Sequence, residues 1–377
     1  MNLSPPITSA TAIISRQALV NNIKQVKKLA ANTKIVAVLK ANAYGHGLAR
    51  IAQLITQQEA SIDAFGVARI DEALALRAAG IVQPIVLLEG VFSAQDLAIV
   101  AVNDLQIVIH NQQQLEAVLH ATPQQLLEKK LKVWLKIDTG MHRLGINPQD
   151  FNTFYQQLKQ SANVANNIVL MSHLACADDK ANNATEKQLA LFSQITAGVN
   201  EAKSCANSAG ICLWPQSHCD WVRPGLMLYG VSPLSYHEGA FQQRQPQLNL
   251  QPVMTLQASL IAIKKIKAGD FVGYGNNWQA NKDTKLGIIA IGYGDGYPRH
   301  AENGTPILLN NRIVPLVGRV SMDMISVDLG DQSHDKLGDV ATLWGDGLPV
   351  EIIAHYASTI PYELLCNIKP RVRFIVK

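Results

Sequence analysis

Lys40 stands where an apolar run, Ile35 to Leu39, breaks into the glycine-spaced polar loop Ala41-Asn42-Ala43-Tyr44-Gly45-His46-Gly47. A lysine at the end of a buried strand faces low-dielectric surroundings, which lower its pKa and leave more of it as the amine that forms Schiff bases with carbonyls. Four other places offer complementary chemistry. Arg143 lies in the polar run Asp138-Thr139-Gly140-Met141-His142-Arg143-Leu144-Gly145, His173 closes an apolar run, Ser208 sits in Asn207-Ser208-Ala209, and Arg223 is followed by Pro224-Gly225-Leu226. Proline is favoured at the first position of a helix, so Gly225 and Leu226 would offer backbone N–H groups at a positive helix end, where phosphate binds. Ser208 taken alone reads as a turn residue or helix cap sooner than as a phosphate ligand, and it is its placement that favours the ligand.

These residues need elements to bring them together. The hydrophobic fraction of 48% and charged fraction of 16% in 377 residues describe a globular chain with room for one large domain and a smaller one. Residues 17 to 31 place Leu19, Ile23, Val26 and Ala30 on one helical face, and a strand is expected at Lys34 to Leu39. Further strands are expected at Asp63 to Val67, Pro84 to Leu88, Leu105 to Ile109, Leu131 to Asp138, Asn167 to His173, Lys203 to Asn207 and Asp220 to Arg223. Amphipathic stretches such as Ile70 to Ala79, capped by Gly80, and Thr185 to Ala202 fall between them. Eight alternating strand and helix units over roughly 240 residues favour a closed TIM-like (β/α)8 barrel. An open doubly wound sheet is the alternative, but no G-x-G-x-x-G follows the first strand, and Gly292-Tyr293-Gly294-Asp295-Gly296 reads as a turn.

Near residue 240 the texture changes. Phe241 to Pro252 is glutamine-rich and reads as a linker. Beyond it, Thr255 to Ile263, Leu286 to Ile291, Arg312 to Val320, Met324 to Leu329 and Asp339 to Leu343 are strand-like, with little helical periodicity, so a mostly-β C-terminal domain is expected. The expected division is 1–242 for the barrel and 243–377 for the β domain, with the first dozen or so residues free to pack with the latter.

A net charge of +4, with lysines at most in pairs, makes nucleic acid and anionic membranes poor partners. No apolar run approaches the ~20 residues of a membrane span. Met1 to Ser15 lacks the features of a signal peptide, and five cysteines without C-x-x-C disfavour a disulfide framework or zinc site. The expected location is the cytoplasm, and no metal is expected.

In such a barrel the active site lies at the C-terminal strand ends, where Lys40, Arg143, His173, Ser208 and Arg223 would all point at one mouth. Barrels commonly hold phosphate after strands seven and eight, so Ser208, Gly225 and Leu226 make a coherent phosphate cup. A Schiff-base lysine beside a phosphate cup suggests pyridoxal 5′-phosphate. A Schiff-base aldolase is the competing use of the same lysine.

The string Ala37-Val38-Leu39-Lys40-Ala41-Asn42-Ala43-Tyr44-Gly45-His46-Gly47 resembles the cofactor-attachment motif of the alanine racemase family. Asp138 to Gly145, Trp221 to Gly230, Val272-Gly273-Tyr274-Gly275, Gly292 to Gly296, Ser321-Met322-Asp323 and Ile360-Pro361-Tyr362-Glu363 are similar to further blocks of that family, in order, across essentially the whole chain. The resemblance implies a pyridoxal phosphate-dependent alanine racemase in which Lys40 holds the cofactor and acts as one base. Tyr274, donated across a homodimer, would be the other. A tyrosine pKa of about 10 leaves on the order of one molecule in a thousand ionised at neutral pH, so roughly 4 kcal/mol of phenolate stabilisation is needed. The family connects His173 and Arg223 to that position, with Arg223 facing the pyridine nitrogen. Being always protonated, an arginine there makes the cofactor a weaker electron sink than a carboxylate would.

By the same resemblance, Tyr44, Ser208, Gly225, Leu226 and Tyr362 bind the phosphate, Arg143 and the Met322 N–H meet the substrate carboxylate, and Tyr293 lines the entrance. Lys136 shares a strand face with Trp134 and Asp138. It matches a position often carbamylated in the family; an unmodified lysine paired with an acid is the alternative. Ser321 departs from the cysteine of several relatives, and only fine tuning turns on it. A broader amino-acid racemase remains open. The β domain argues against a non-catalytic cofactor carrier, and Arg223 against a decarboxylase, which would place a carboxylate at the pyridine nitrogen. Whether D-alanine is made for peptidoglycan or consumed stays open.

Overall fold

The computed structural model describes residues 8–57, 62–234 and 248–377. Part of the expected linker and the expected division at 242/243 lie outside them. Sixteen strands are described. The first, β1 (Thr11–Ile14), is followed by eight that make one parallel sheet: β2 (Lys34–Val38), β3 (Ala64–Val67), β4 (Ile85–Leu87), β5 (Leu105–Ile109), β6 (Lys132–Lys136), β7 (Val169–Met171), β8 (Ala202–Ser204) and β9 (Trp221–Val222). Neighbours pair in chain order from β2 to β8, and β9 pairs with β2. Backbone bonds from Asp220 N–H to Lys203 O (3.1 Å) and Arg223 N–H to Ala206 O (2.9 Å) close the circle between β8 and β9.

All eight expected strands are present, seven within their apolar runs and β8 shifted, opening at Ala202 and ending at Ser204 where Lys203 to Asn207 was expected. Val36, Ala64, Val86, Val108, Trp134 and Met171 fill the barrel interior as one cluster. Trp134 and Lys136 therefore point inward, while Val133, Leu135 and Ile137 join the larger core under the helices. Helices Arg16–Leu29 and Ile70–Ala78 match expectation, and Gly80 adopts the left-handed conformation (φ +82°) just beyond the second. The helix expected over Thr185 to Ala202 ends at Ile195, because Ala202 already opens β8.

The second sheet holds β10 (Met254–Ile266), β11 (Thr284–Ile289), β12 (Pro306–Leu309), β13 (Arg312–Pro315), β14 (Ile325–Asp328), β15 (Val340–Trp344) and β16 (Arg373–Val376). β1 belongs to it, lying antiparallel to β10 and parallel to β16. Sequence reading omitted β1, β12 and β16, which are four residues each; β1 and β16 pair with each other from opposite ends of the chain, and β12 forms a hairpin with β13. The single strand expected over Arg312 to Val320 stops at Pro315, since proline cannot donate to a ladder. Two short helices, Val350–Tyr356 and Pro361–Cys366, were also not foreseen. The second brings Tyr362 against the barrel mouth. Among the described residues no helix is long and apolar enough to cross a membrane.

Candidate active site

After β2 the chain does something L-residues avoid. Ala41, Asn42, Ala43 and Tyr44 all have φ between +51° and +56°, a turn of left-handed helix that Gly45 ends at φ +76°. Such a conformation costs roughly 1–2 kcal/mol per residue, so its surroundings must hold it. The Ala43 N–H donates to Leu39 O (2.7 Å) and the Gly45 N–H to Ala41 O (3.1 Å). Fully buried His46 uses Nδ1 to reach Tyr44 O (2.7 Å) and Ala43 O (3.1 Å). Two carbonyl partners define Nδ1 as the protonated nitrogen, and burial lowers the imidazole pKa to about 4. Gly45 also permits a close approach. A β-carbon there would stand 1.9 Å from Leu365 O, so its absence lets helix Pro361–Cys366 close over the turn.

The mouth of the barrel is a cavity of ≈ 910 Å³. Lys40, Tyr44, Lys136, Arg143, His173, Ser208, Arg223, Gly225, Leu226 and Tyr362 all line it, as the sequence reading placed them. Burial lowers the Lys40 pKa and the Arg143 charge lowers it further, against opposition from Glu89 and Glu72. Lys136 is buried, and desolvation with the charges of Arg223, Arg143 and Lys40 brings it down to about 8. Asp138 accepts the N–H groups of Gly140, Met141 and His142 at 2.9 to 3.1 Å, shaping the turn that presents Arg143.

Arg223 is held entirely by neutral groups. It donates to Ser204 Oγ, to Ser172 O (2.6 Å) and to Cys205 O (3.3 Å), and Nη2 lies 3.5 Å from His173 Nδ1. Burial lowers its pKa to about 10, which still leaves it charged at neutral pH. Burial and then the Arg223, Lys136, Arg143 and Lys40 charges push His173 well below the usual imidazole range. A neutral His173 that accepts from Arg223 at Nδ1 keeps its proton on Nε2, as a donor.

The anion cradle is built from a helix start and a tyrosine. Asn207 caps helix Ser208–Leu213 by accepting the Gly210 N–H (2.9 Å), and Ser208 Oγ accepts from the Gly225 N–H (2.9 Å). Buried Tyr44 stacks on Tyr229 with ring centroids 4.7 Å apart, and Tyr229 donates to Val38 O at 2.9 Å. A β-carbon at residue 225 would lie 2.5 Å from the Tyr44 hydroxyl, so this cradle exists because Gly225 is bare. The Tyr44 and Ser208 hydroxyls thus meet beside the Gly225 backbone, two O–H donors suited to a phosphate.

Tyr274, Tyr293 and Met322 are not among the residues that line this cavity. They stand on the β domain: Tyr274 is 69% exposed and Met322 54% exposed. The Tyr293 N–H donates to Ser321 O (3.0 Å) and the Gly294 N–H to Met322 O (2.8 Å), so these loops form a second group of their own. Arg371 fastens it by donating to Asp295 (2.7 Å), Asp323 (2.8 Å) and Met322 O (3.4 Å). Sequence reading missed the supports: Glu72, His46, Tyr229, Ser172 and Ser204. The glycine-spaced run containing His46 and the Trp221 to Gly230 block containing Tyr229 were visible signals; Glu72, Ser172 and Ser204 carried none.

A closed parallel barrel gathering a reactive lysine, buried cations and an anion cradle at one mouth, with a β domain appended, defines a barrel enzyme acting on an anionic, amine-reactive ligand. The chain belongs to the alanine racemase family. Its residues 14–233 match the family model described as "Alanine racemase, N-terminal domain" and residues 253–376 that described as "Alanine racemase, C-terminal domain". It is 52% identical to the alanine racemase of Aeromonas hydrophila over 97% of this chain and 98% of that one. Among solved structures, the biosynthetic alanine racemase of Pseudomonas aeruginosa is similar at a TM-score of 0.91 and 38% identity, covering 98% and 100% of the two chains. The alanine racemase of Bartonella henselae, solved with covalently bound pyridoxal phosphate, has a TM-score of 0.87 at 32% identity, with the same coverage. The fold and family implied by the sequence motifs are those found.

Proposed function

We propose that this chain interconverts L-alanine and D-alanine with pyridoxal 5′-phosphate, using Lys40 and Tyr274 of the partner subunit as bases on opposite faces of the substrate. The observation that carries this reading is Lys40, with its lowered pKa, in one cavity with the Tyr44, Ser208 and Gly225 cradle. When bound, the cofactor supplies an aldehyde for the lysine and a conjugated ring that withdraws electrons from the substrate α-carbon.

The chain's own residues do the rest. Tyr44, Ser208, Gly225, Leu226 and Tyr362 would hold the phosphate. Arg223 presents a fixed cation to the ring nitrogen and keeps its own protons, which weakens the electron sink and disfavours transamination and decarboxylation. Lys40 moves a proton at one face of the α-carbon. His173, neutral and oriented by Arg223, offers Nε2–H to the phenolic oxygen of the partner subunit's Tyr274 and helps stabilise its ionised form. Arg143 and the Met322 N–H of the partner subunit orient the carboxylate, and Tyr293 lines the entrance.

Lys136 is read as a carbamate whose charge orients Arg143. In support, Lys136 makes no ion pair with a carboxylate among the described residues, and its lowered pKa leaves a nucleophilic amine. Homodimerisation is supported by exposed Phe271, Tyr274, Met322 and Met324 on the β domain, outside the cavity lining. The barrel unit is taken as 1–242 and the β unit as 243–377, with β1 exchanged onto the latter's sheet. The enzyme is read as cytoplasmic and as supplying D-alanine, in keeping with the word "biosynthetic" in the name of the Pseudomonas relative.

The test is incubation of the purified holoenzyme with L-alanine in D₂O. D-alanine carrying α-deuterium is the expected product; a carbonyl compound or CO₂ in its place would overturn the reading.

A further inference from the structure

The left-handed turn after Lys40 is held from the opposite side by a group the proposed chemistry does not use. Glu72 sits in the first turn of helix Ile70–Ala78, beyond β3. Its Oε1 accepts the Ala41 N–H at 2.7 Å, and its Oε2 accepts the N–H groups of Ala68 (2.9 Å) and Arg69 (3.3 Å). One carboxylate thereby ties the peptide directly after Lys40 to the loop leaving the neighbouring strand. Ala41 opens the run of positive φ, so this bond is made at the residue where the left-handed turn begins.

We propose that Glu72 is a positioning residue for Lys40: it locks the Lys40–Ala41 peptide through a charged hydrogen bond from the Ala41 N–H and adds one carboxylate to the charges around the amine. The proposal rests on Lys40 being the cofactor-bearing base. Four charged or titratable groups act on that amine: Arg143 lowers its pKa, while Glu89, Glu72 and Cys366 raise it. Glu72 differs from Glu89, the other carboxylate, in also holding the lysine's own backbone. Substitution grades the two roles: glutamine loses the charge and keeps a single acceptor oxygen, so its NH2 must face either the Ala41 N–H or the Ala68 and Arg69 N–H groups, whereas alanine loses the charge and every acceptor.

Competitive acetylation of Lys40 in the cofactor-free protein, followed by mass spectrometry across pH, reads the amine without turnover. In Glu72→Gln the lost anion should lower the Lys40 pKa, making acetylation at pH 7 about threefold faster. The kcat of its holoenzyme should fall too, because one of the two acceptor sites is lost, with KM little changed. Glu72→Ala should share the faster acetylation but lose about tenfold or more in kcat, with KM little changed, because the lysine is misplaced. Unchanged acetylation in both variants, or a parental kcat in Glu72→Ala, would overturn the proposal. If Lys40→Ala still formed the visible cofactor band, the base assignment would fail instead, a result the acetylation profiles of Glu72 variants cannot produce.

Discussion

The Tyr44 hydroxyl and the Gly225 backbone meet at one point of the barrel mouth, where a single added β-carbon would stand 2.5 Å from the phenolic oxygen. Tyr44 cannot retreat easily, because its ring is stacked on Tyr229 at 4.7 Å. Gly225→Ala should therefore displace the hydroxyl or the 224–226 backbone and weaken cofactor binding about tenfold or more. Absorbance titration of the cofactor-free protein with pyridoxal phosphate measures this; an unchanged Kd would show that the phosphate is held elsewhere.

Lys40 and Tyr274 stand on different units, and only Lys40 lines the cavity. Lys40→Ala should abolish the visible cofactor band, and Tyr274→Phe should impair proton exchange mainly from the L face. Each variant alone should be nearly inactive. If Tyr274 works across a two-fold dimer, mixing the variants and allowing subunits to exchange restores one intact site in half of the dimers, about a quarter of parental activity. No recovery after demonstrated exchange would assign both bases to one chain.

His46 should make the fold acid-sensitive. Well above the ordinary imidazole pKa of about 6.5 it is neutral in both folded and unfolded chains and contributes no pH dependence. Between that value and its folded value of about 4, only the unfolded chain takes up the proton, so stability falls as pH falls. That linkage amounts to about 2 kcal/mol between about pH 7 and about pH 4.5. His46→Gln should flatten this part of the stability profile, measured by urea denaturation at the two pH values; a slope equal to the parent's would contradict the buried, neutral assignment. His173 acts in the same direction and remains in the variant.

Lys136, held down to about 8 among three cations, should carry carbon dioxide. Enzyme equilibrated with ¹³C-bicarbonate near pH 8 is expected to show a carbamate resonance that disappears in Lys136→Ala. That variant should raise the KM for alanine by about tenfold, because Arg143 loses its orienting anion. Absence of the resonance from the parent enzyme would return Lys136 to a plain buried amine.

Much of this was legible in the chain. Alternating apolar runs located the eight barrel strands because each is buried on both sides, and burial selects side chains locally. Lys40, Arg143, His173, Ser208 and Arg223 were legible as a group because strand ends in such a barrel all open at one mouth. Three four-residue strands of the β domain's sheet, Thr11–Ile14, Pro306–Leu309 and Arg373–Val376, left no comparable trace, since four residues give too few periods; the first and last also pair with segments far away in the chain.

The sequence by itself therefore determined the barrel, the reactive lysine and the family to which the motifs belong, all of which rest on residue type and local spacing. Only the tertiary structure decided that Ala41 to Tyr44 wind left-handed, that Glu72 and His46 hold them there, and that Tyr274 stands on the β domain apart from the cavity lined by Lys40. Those features depend on hydrogen bonds and close approaches between segments far apart in the chain, and such contacts leave no period in it.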